Sequence, residues 1–117
     1  MKTMDLIRKT RDYLDYVELT ITTFVGGTIA HLLVNDFDVL YLDHDLDGQS
    51  FQKSGENTGF EVAEWLSKKP PFVFIPPEIY IHSLNPEGVK NMKRVLPDAI
   101  EKPYAWLADD AIDKMIL

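Results

Sequence analysis

The chain has 117 residues, no cysteine and 19 acidic against 12 basic side chains, which gives a formal net charge of -7. This length predicts one domain, and the lack of cysteine excludes a disulfide framework and a thiolate metal site. The excess of acid disfavours binding to nucleic acid, which depends on neutralising phosphates, and favours a protein partner with a basic surface. No apolar run approaches the roughly 20 residues of a membrane span, so we expect a soluble, cytoplasmic protein.

The amino-terminal part predicts a helix and then a strand. From Thr3 to Tyr16, apolar residues recur at helical spacing, with charged side chains on the opposite side. Between Val17 and Phe24 the period changes to two, which predicts a strand at the edge of a sheet. Gly26 and Gly27 end this strand, and we expect Thr28 to cap a short helix that ends near residue 35.

The most informative stretch is a short apolar run that ends in a group of polar residues. Val39–Leu42 is too short and too rich in branched and aromatic residues for a helix, so it predicts a central strand covered on both faces. Open α/β sheets bind their ligands at the carboxyl ends of strands, where polar residues follow here. These residues are Asp43, His44, Asp45 and Asp47. Residues 49–57 then have the composition of a loop over the strand end.

The second half predicts helices that alternate with one strand. Thr58 and Glu61 have the spacing of a capping box, which begins a helix that the prolines at 70 and 71 end. Glu78–His82 is the next strand, and Asn85 with Pro86 caps and begins the helix after it. A last helix is predicted from Tyr104 to Leu117.

This alternation predicts one α/β domain with parallel strands. Right-handed crossovers would place the carboxyl ends of its strands at one edge of the sheet, so residues 43–47 and 82–85 become neighbours. The expected site therefore combines two groups of residues that are about 35 positions apart in the chain.

The first group suggests metal binding. Asp43, Asp45 and Asp47 offer the oxygen ligands that Mg²⁺, Mn²⁺ and Ca²⁺ prefer, and His44 can transfer a proton near neutral pH. An EF-hand is disfavoured because a strand precedes the group. The competing interpretation is that one carboxylate caps a turn while the others are solvated.

The second group suggests phosphate binding. His82 can act as an acid or base, Ser83 supplies a hydroxyl, and Asn85 with the helix amides can hold an anion. Two basic residues of the following helix can bind substrate: Lys90 and Lys93. For this group alone, the plainer interpretation as strand end and helix cap is preferred. Together, the two groups suit phosphate chemistry. A catalytic triad built on Ser83 is the weaker alternative, because no G-x-S-x-G sequence is present.

Around both groups the sequence resembles the cyclic-phosphate-processing receiver-like domains. The segments that carry the resemblance are 42–46, 58–62, 65–66, 81–83, 85–86 and 91–92. It implies a small three-layer, flavodoxin-like sandwich with a short, mainly parallel sheet, and a role in handling cyclic phosphates or related phosphoesters. It also implies catalytic roles for Asp43, His44, Asp45, His82 and Ser83.

The chain departs from this family at its amino terminus. Such domains begin with a strand that ends in two adjacent acids, with an arginine nearby, whereas a helix is predicted here. The only adjacent aspartates, Asp109 and Asp110, fall in the predicted last helix. We therefore expect a fold truncated or rearranged at the amino terminus, with residues 17–24 or a second protomer of a homodimer completing the sheet.

Two functions follow from these observations. The first is a phosphoesterase assisted by Mg²⁺ or Mn²⁺ that acts on a cyclic phosphate or related nucleotide, with Asp43 and Asp45 at the metal and His44 or His82 transferring protons. The second is a non-catalytic acidic binder or inhibitor, of a type that phages encode, which sequesters a cyclic nucleotide or covers a basic surface of a host defence protein. The missing acids and the net charge favour the second function. The two groups of polar residues and the family resemblance favour the first, and we place the enzyme slightly ahead.

Overall fold

The structure is a computed structural model that describes residues 4–9, 17–45 and 53–101. These ranges contain five strands and three helices. The strands are β1 (Met4–Lys9), β2 (Val17–Thr22), β3 (Val39–Leu42), β4 (Glu78–Ile81) and β5 (Ile100–Glu101), and the helices are α1 (Val25–Val34), α2 (Gly59–Ser67) and α3 (Pro86–Val95). The predicted last helix lies outside these ranges. Of the helices that the structure describes, none is long and apolar enough to cross a membrane.

The strands form one mixed sheet in the order β2-β1-β3-β4-β5. Strands β3, β4 and β5 are parallel, whereas β1 is antiparallel to both of its neighbours. The α/β class is confirmed, but the prediction of a mainly parallel sheet was wrong. Only residues 10–16 connect β1 to β2, and a parallel pair needs a crossover of about a dozen residues or more.

The amino-terminal segment that was predicted as a helix contains β1. All six residues of β1 pair with β2, from Met4 with Thr22 to Lys9 with Val17. Met4, Leu6 and Ile7 are all buried, because β1 is a central strand with both faces covered. Such a strand shows no clean alternation, which made helical spacing a misleading signal. The first strand is therefore present, and no second protomer is needed to supply it.

The adjacent acids expected at the end of that first strand are not in β1. Its one acidic residue is Asp5, which is buried opposite Tyr41 of β3. The strand ends instead in Arg8 and Lys9. The predicted departure from the family pattern thus concerns the acids and not the strand.

β5 was not predicted, and the other elements are close to their predicted bounds, with two corrections at helix starts. α1 begins at Val25, so Thr28 lies inside its first turn, where its hydroxyl donates to the Phe24 carbonyl at 3.1 Å and does not cap the helix. α2 begins after Thr58 as predicted, but Glu61 accepts from the Asn57 amide at 3.0 Å and the reciprocal capping box does not form. In both places a nearby backbone group is the better hydrogen-bond partner.

The core lies between the sheet and the helices, which pack side by side, α1 against α2 and α2 against α3. Its strand residues alternate along β1, β3 and β4 and point toward the helices: Met4, Leu6, Leu40, Leu42 and Ile81. On the opposite face the central strands are also buried, and there Tyr41 stacks on Tyr80 with 4.9 Å between ring centroids. Because β3 is buried on both faces, its carboxyl end is held rigidly.

Candidate functional site

The carboxyl ends of β3 and β4 meet because the two strands are parallel neighbours, paired from Val39 with Glu78 to Leu42 with Ile81. The amide of His82 donates to the Leu42 carbonyl at 2.9 Å, which extends this pairing to the strand ends. Six buried residues follow the two strands and form what we call the strand-end cluster: Asp43, His44, Asp45, His82, Ser83 and Asn85. The predicted juxtaposition of residues 43–45 with 82–85 is thus observed.

Asp43 is a buried carboxyl that titrates near neutral pH. Burial raises the pKa of Asp43 from 3.8 to about 7. This pKa of about 7 already includes a lowering by hydrogen bonds from the Asp45 amide and the Ser83 side chain and a rise caused by the nearby charge of Asp45. The Asp45 amide donates to Asp43 Oδ1 at 3.2 Å. A carboxyl that is half ionised near pH 7 is suited to proton transfer at that pH.

Ser83 links Asp43 to the start of α3. Its Oγ accepts from the Asn85 amide at 3.2 Å, so its hydroxyl hydrogen is directed to Asp43. Asn85 caps α3, since its Oδ1 accepts from the Gly88 amide at 3.0 Å, as the sequence predicts. The positive end of the α3 dipole therefore lies at the same sheet edge as Asp43.

His44 is held by polar partners inside the protein. Its Nδ1 lies 2.9 Å from Asp45 Oδ1, and Asn85 Nδ2 donates to the same oxygen at 3.0 Å. Asn85 Nδ2 also lies 3.2 Å from His44 Nδ1. A carboxylate only accepts hydrogen bonds, so we assign a proton to Nδ1 and take the shorter bond from Asn85 to Asp45 as the one that forms. Asp45 and Asn85 together fix the orientation and tautomer of this ring.

The other nitrogen of His44 contacts a residue that the sequence analysis did not single out. His44 Nε2 lies 2.8 Å from Ser54 Oγ, and Asn91 Nδ2 donates to that same Oγ at 2.9 Å. Ser54 lies in the polar loop before α2, where composition predicts only a loop. The one signal in the sequence was Asn91, which belongs to a segment that carries the family resemblance.

Two glycines bring α2 and α3 close to the cluster. A Cβ on Gly88 would lie 2.7 Å from His44 Nδ1, and a Cβ on Gly59 would lie 2.8 Å from the carbonyl carbon of Asp43. The Gly59 amide also donates to the His44 carbonyl at 2.8 Å. Both helices approach the strand end more closely than any side chain would allow.

Three further predicted residues are His82, which belongs to the cluster, and Lys90 and Lys93 of α3. The ring of His82 packs edge-on against Tyr41, with 5.9 Å between centroids. Lys93 Nζ donates to the carbonyls of Pro97 and Ala99, so it closes the end of α3. Lys90 is exposed and lines, with Lys93 and Ser83, a cavity of about 470 Å³ beside α3.

The acids of the cluster do not make a complete metal site. Asp43 and Asp45 are described, whereas Asp47 lies outside the described ranges. One oxygen of Asp45 already accepts from Asn85. In the part of the chain that the structure describes, no group of three or more acids and histidines is arranged to hold a metal ion. The described donors therefore do not fit Mg²⁺ or Mn²⁺ without further ligands, and we derive no step through a metal.

Replacing Asn85 with alanine is expected to lower the free energy of unfolding by about 2 kcal/mol, because the α3 cap and a donor to Asp45 are lost together. Urea denaturation measures this loss. The matched control is Asn35→Ala at the carboxyl end of α1, where the side chain accepts only a long bond of 3.4 Å from Arg8. Equal losses in the two variants would contradict the role of Asn85.

Comparison with known proteins identifies one family. Residues 4–98 match the family model of the cyclic-phosphate processing receiver domain. The match includes β1 and the whole strand-end cluster. No curated protein and no solved structure matches the chain.

Proposed function

Because the chain belongs to the family of cyclic-phosphate processing receiver domains, we propose that it hydrolyses cyclic phosphate diesters at the strand-end cluster. The observation that carries this proposal is Asp43, a buried carboxyl whose pKa is raised to about 7 at the carboxyl end of β3. Opening a cyclic phosphate breaks one P–O bond and leaves an alkoxide oxygen that must receive a proton. A carboxyl that titrates near pH 7 can supply that proton and be recharged at the same pH.

Two further features support an anionic substrate at this edge. α3 begins at Pro86, next to the cluster, and the amino end of a helix attracts phosphate through its dipole. Ser83 forms a hydrogen bond with the Asp43 carboxyl. His82, on the neighbouring strand, is the second proton-transfer group that we propose. Dependence on Mg²⁺ or Mn²⁺ stays a prediction, because it needs ligands beyond Asp43 and Asp45.

The test is turnover of nucleoside cyclic phosphates with five- and six-membered phosphate rings, measured with chelator and with added Mg²⁺ or Mn²⁺. We expect Asp43→Asn to lower kcat/KM by about 100-fold, the usual contribution of a positioned acid or base. The matched control is Asp36→Asn, an exposed aspartate before the opposite end of β3, which should leave kcat/KM unchanged. Folded protein without turnover across the panel, or an Asp43→Asn variant as active as the control, would refute the proposal.

The non-catalytic alternative is supported by the way the cluster uses its polar atoms. His44 and Asp45 are bonded to each other and to Ser54 and Asn85, and these bonds hold the cluster in one arrangement whether or not a bound ligand reacts. Calorimetry that detects tight binding of a cyclic nucleotide without hydrolysis would favour sequestration. The inhibitor form of this alternative is suggested by the net charge of -7. A pull-down that recovers one stoichiometric basic protein, bound equally well by the Asp43→Ala variant, would favour it.

A further inference from the structure

We propose that Ser54 is a nucleophile, activated by His44 and Asp45, that attacks phosphorus; its choice of substrate rests on the proposed function. The three side chains are joined in the order carboxylate, imidazole, hydroxyl. Asp45 Oδ1 lies 2.9 Å from His44 Nδ1, and His44 Nε2 lies 2.8 Å from Ser54 Oγ. The same order of groups activates serine in hydrolases of unrelated folds.

The directions of the hydrogen bonds suit removal of the serine proton. With its one proton on Nδ1, where Asp45 accepts it, the His44 ring has a lone pair on Nε2, and Ser54 donates its hydroxyl hydrogen to that lone pair. Asn91 Nδ2 donates to Ser54 Oγ and occupies one lone pair of the oxygen. These two partners hold the hydroxyl rotor in one orientation.

Burial separates the base from solvent but leaves the nucleophile accessible. His44 is fully buried, whereas Ser54 is half-buried. The ring cannot turn away, because Gly88 of α3 packs against it and Asn85 fixes Asp45. Ser54 is therefore the most exposed of the three residues of this relay.

The reaction balances without any further reagent. Ser54 Oγ forms a bond to phosphorus while one ring P–O bond breaks, the hydroxyl proton passes to His44 Nε2, and the leaving oxygen takes the proton of the Asp43 carboxyl. Asp45 stabilises the imidazolium that remains. Water then attacks phosphorus and gives a proton to the Asp43 carboxylate, while Ser54 Oγ is released and takes its proton back from His44. The product is a phosphomonoester next to a free hydroxyl.

A fluorophosphonate probe tests the nucleophile without a cyclic phosphate. Attack by Ser54 Oγ forms the phosphorus–oxygen bond and expels fluoride, and His44 takes the hydroxyl proton. The full chain is incubated with the probe, and the adduct is located by peptide mass spectrometry. We expect an adduct on Ser54 and none on Ser67, a half-buried serine of α2 whose hydroxyl donates to the Glu64 carbonyl.

Variants then separate activation from simple exposure. Ser54→Ala should abolish the adduct, Ser67→Ala should leave its rate unchanged, and His44→Gln should slow labelling by at least about 100-fold. If His44→Gln does not fold, the test is whether the probe labels Ser54 in preference to Ser67 in the unaltered protein. The proposal is overturned if the folded protein gives no adduct on Ser54, or if the probe labels Ser54 and Ser67 at the same rate. It is also overturned if the probe labels His44→Gln as fast as the unaltered protein.

Labelling and turnover also distinguish this proposal from the proposed function. Labelling of Ser54 without hydrolysis of any cyclic phosphate would support the nucleophile and reject the substrate. Hydrolysis that survives in Ser54→Ala would reject the nucleophile and keep the substrate, with Ser54 then serving only to anchor the loop before α2.

Discussion

Replacing Gly59 with alanine is expected to lower the free energy of unfolding by about 3 kcal/mol or more, the upper range for overpacking. The added Cβ would press on the carbonyl oxygen of Asp43. The same Cβ would lie 2.8 Å from the carbonyl carbon of Asp43 and 3.1 Å from His44 Cα. All three atoms are backbone, so no side chain can rotate to make room. The start of α2 cannot retreat without breaking the bond from the Gly59 amide to the His44 carbonyl.

Urea denaturation checks this prediction, with Gly26→Ala as the matched control. Gly26 lies in the first turn of α1 and is exposed, and its added Cβ would be 3.5 Å from the nearest atom, a side-chain carbon of Phe24. Alanine is favoured over glycine in a helix, so this variant should be unchanged or more stable by about 0.5 kcal/mol. A loss at Gly59 no larger than that at Gly26 would show that α2 does not approach the strand end so closely.

Replacing Asp43 with asparagine is expected to remove a large part of the pH dependence of stability. The pKa of Asp43 is about 7 in the folded protein and 3.8 when the chain is unfolded. Between these values the folded protein keeps a proton that the unfolded chain releases, so its stability falls as pH rises from about 4 to about 7. A shift of about three pKa units corresponds to at most about 4 kcal/mol.

Asparagine stays neutral at every pH and keeps an oxygen that accepts from the Asp45 amide. The variant should therefore gain stability relative to the unaltered protein as pH increases, and the gain should be complete above about pH 8. Free energies of unfolding measured at about pH 4 and about pH 8 decide this. The exposed Asp36→Asn variant is the control, because it should follow the unaltered protein at both pH values. Parallel behaviour of Asp43→Asn and the unaltered protein would mean that burial does not raise this pKa.

Local signals predicted the elements that form the strand ends. Val39–Leu42 was recognised as a buried strand from its composition, and Asn85 with Pro86 was recognised as the start of a helix. A buried strand and a helix start each depend on residues that are close together in the chain, so short sequence patterns are enough to predict them. The meeting of residues 43–45 with 82–85 followed from one general rule, the right-handed crossover between parallel strands.

The sequence by itself thus determined the α/β class and the meeting of residues 43–45 with 82–85 at one edge of the sheet. Only the tertiary structure decided that residues 4–9 form a central strand, because pairing with β2 and β3 outweighs their local spacing. It also decided that Ser54, ten positions after His44, is within hydrogen-bond distance of Nε2. Such contacts depend on the path of the chain and on two glycines that admit the helices, and short-range patterns do not carry this information.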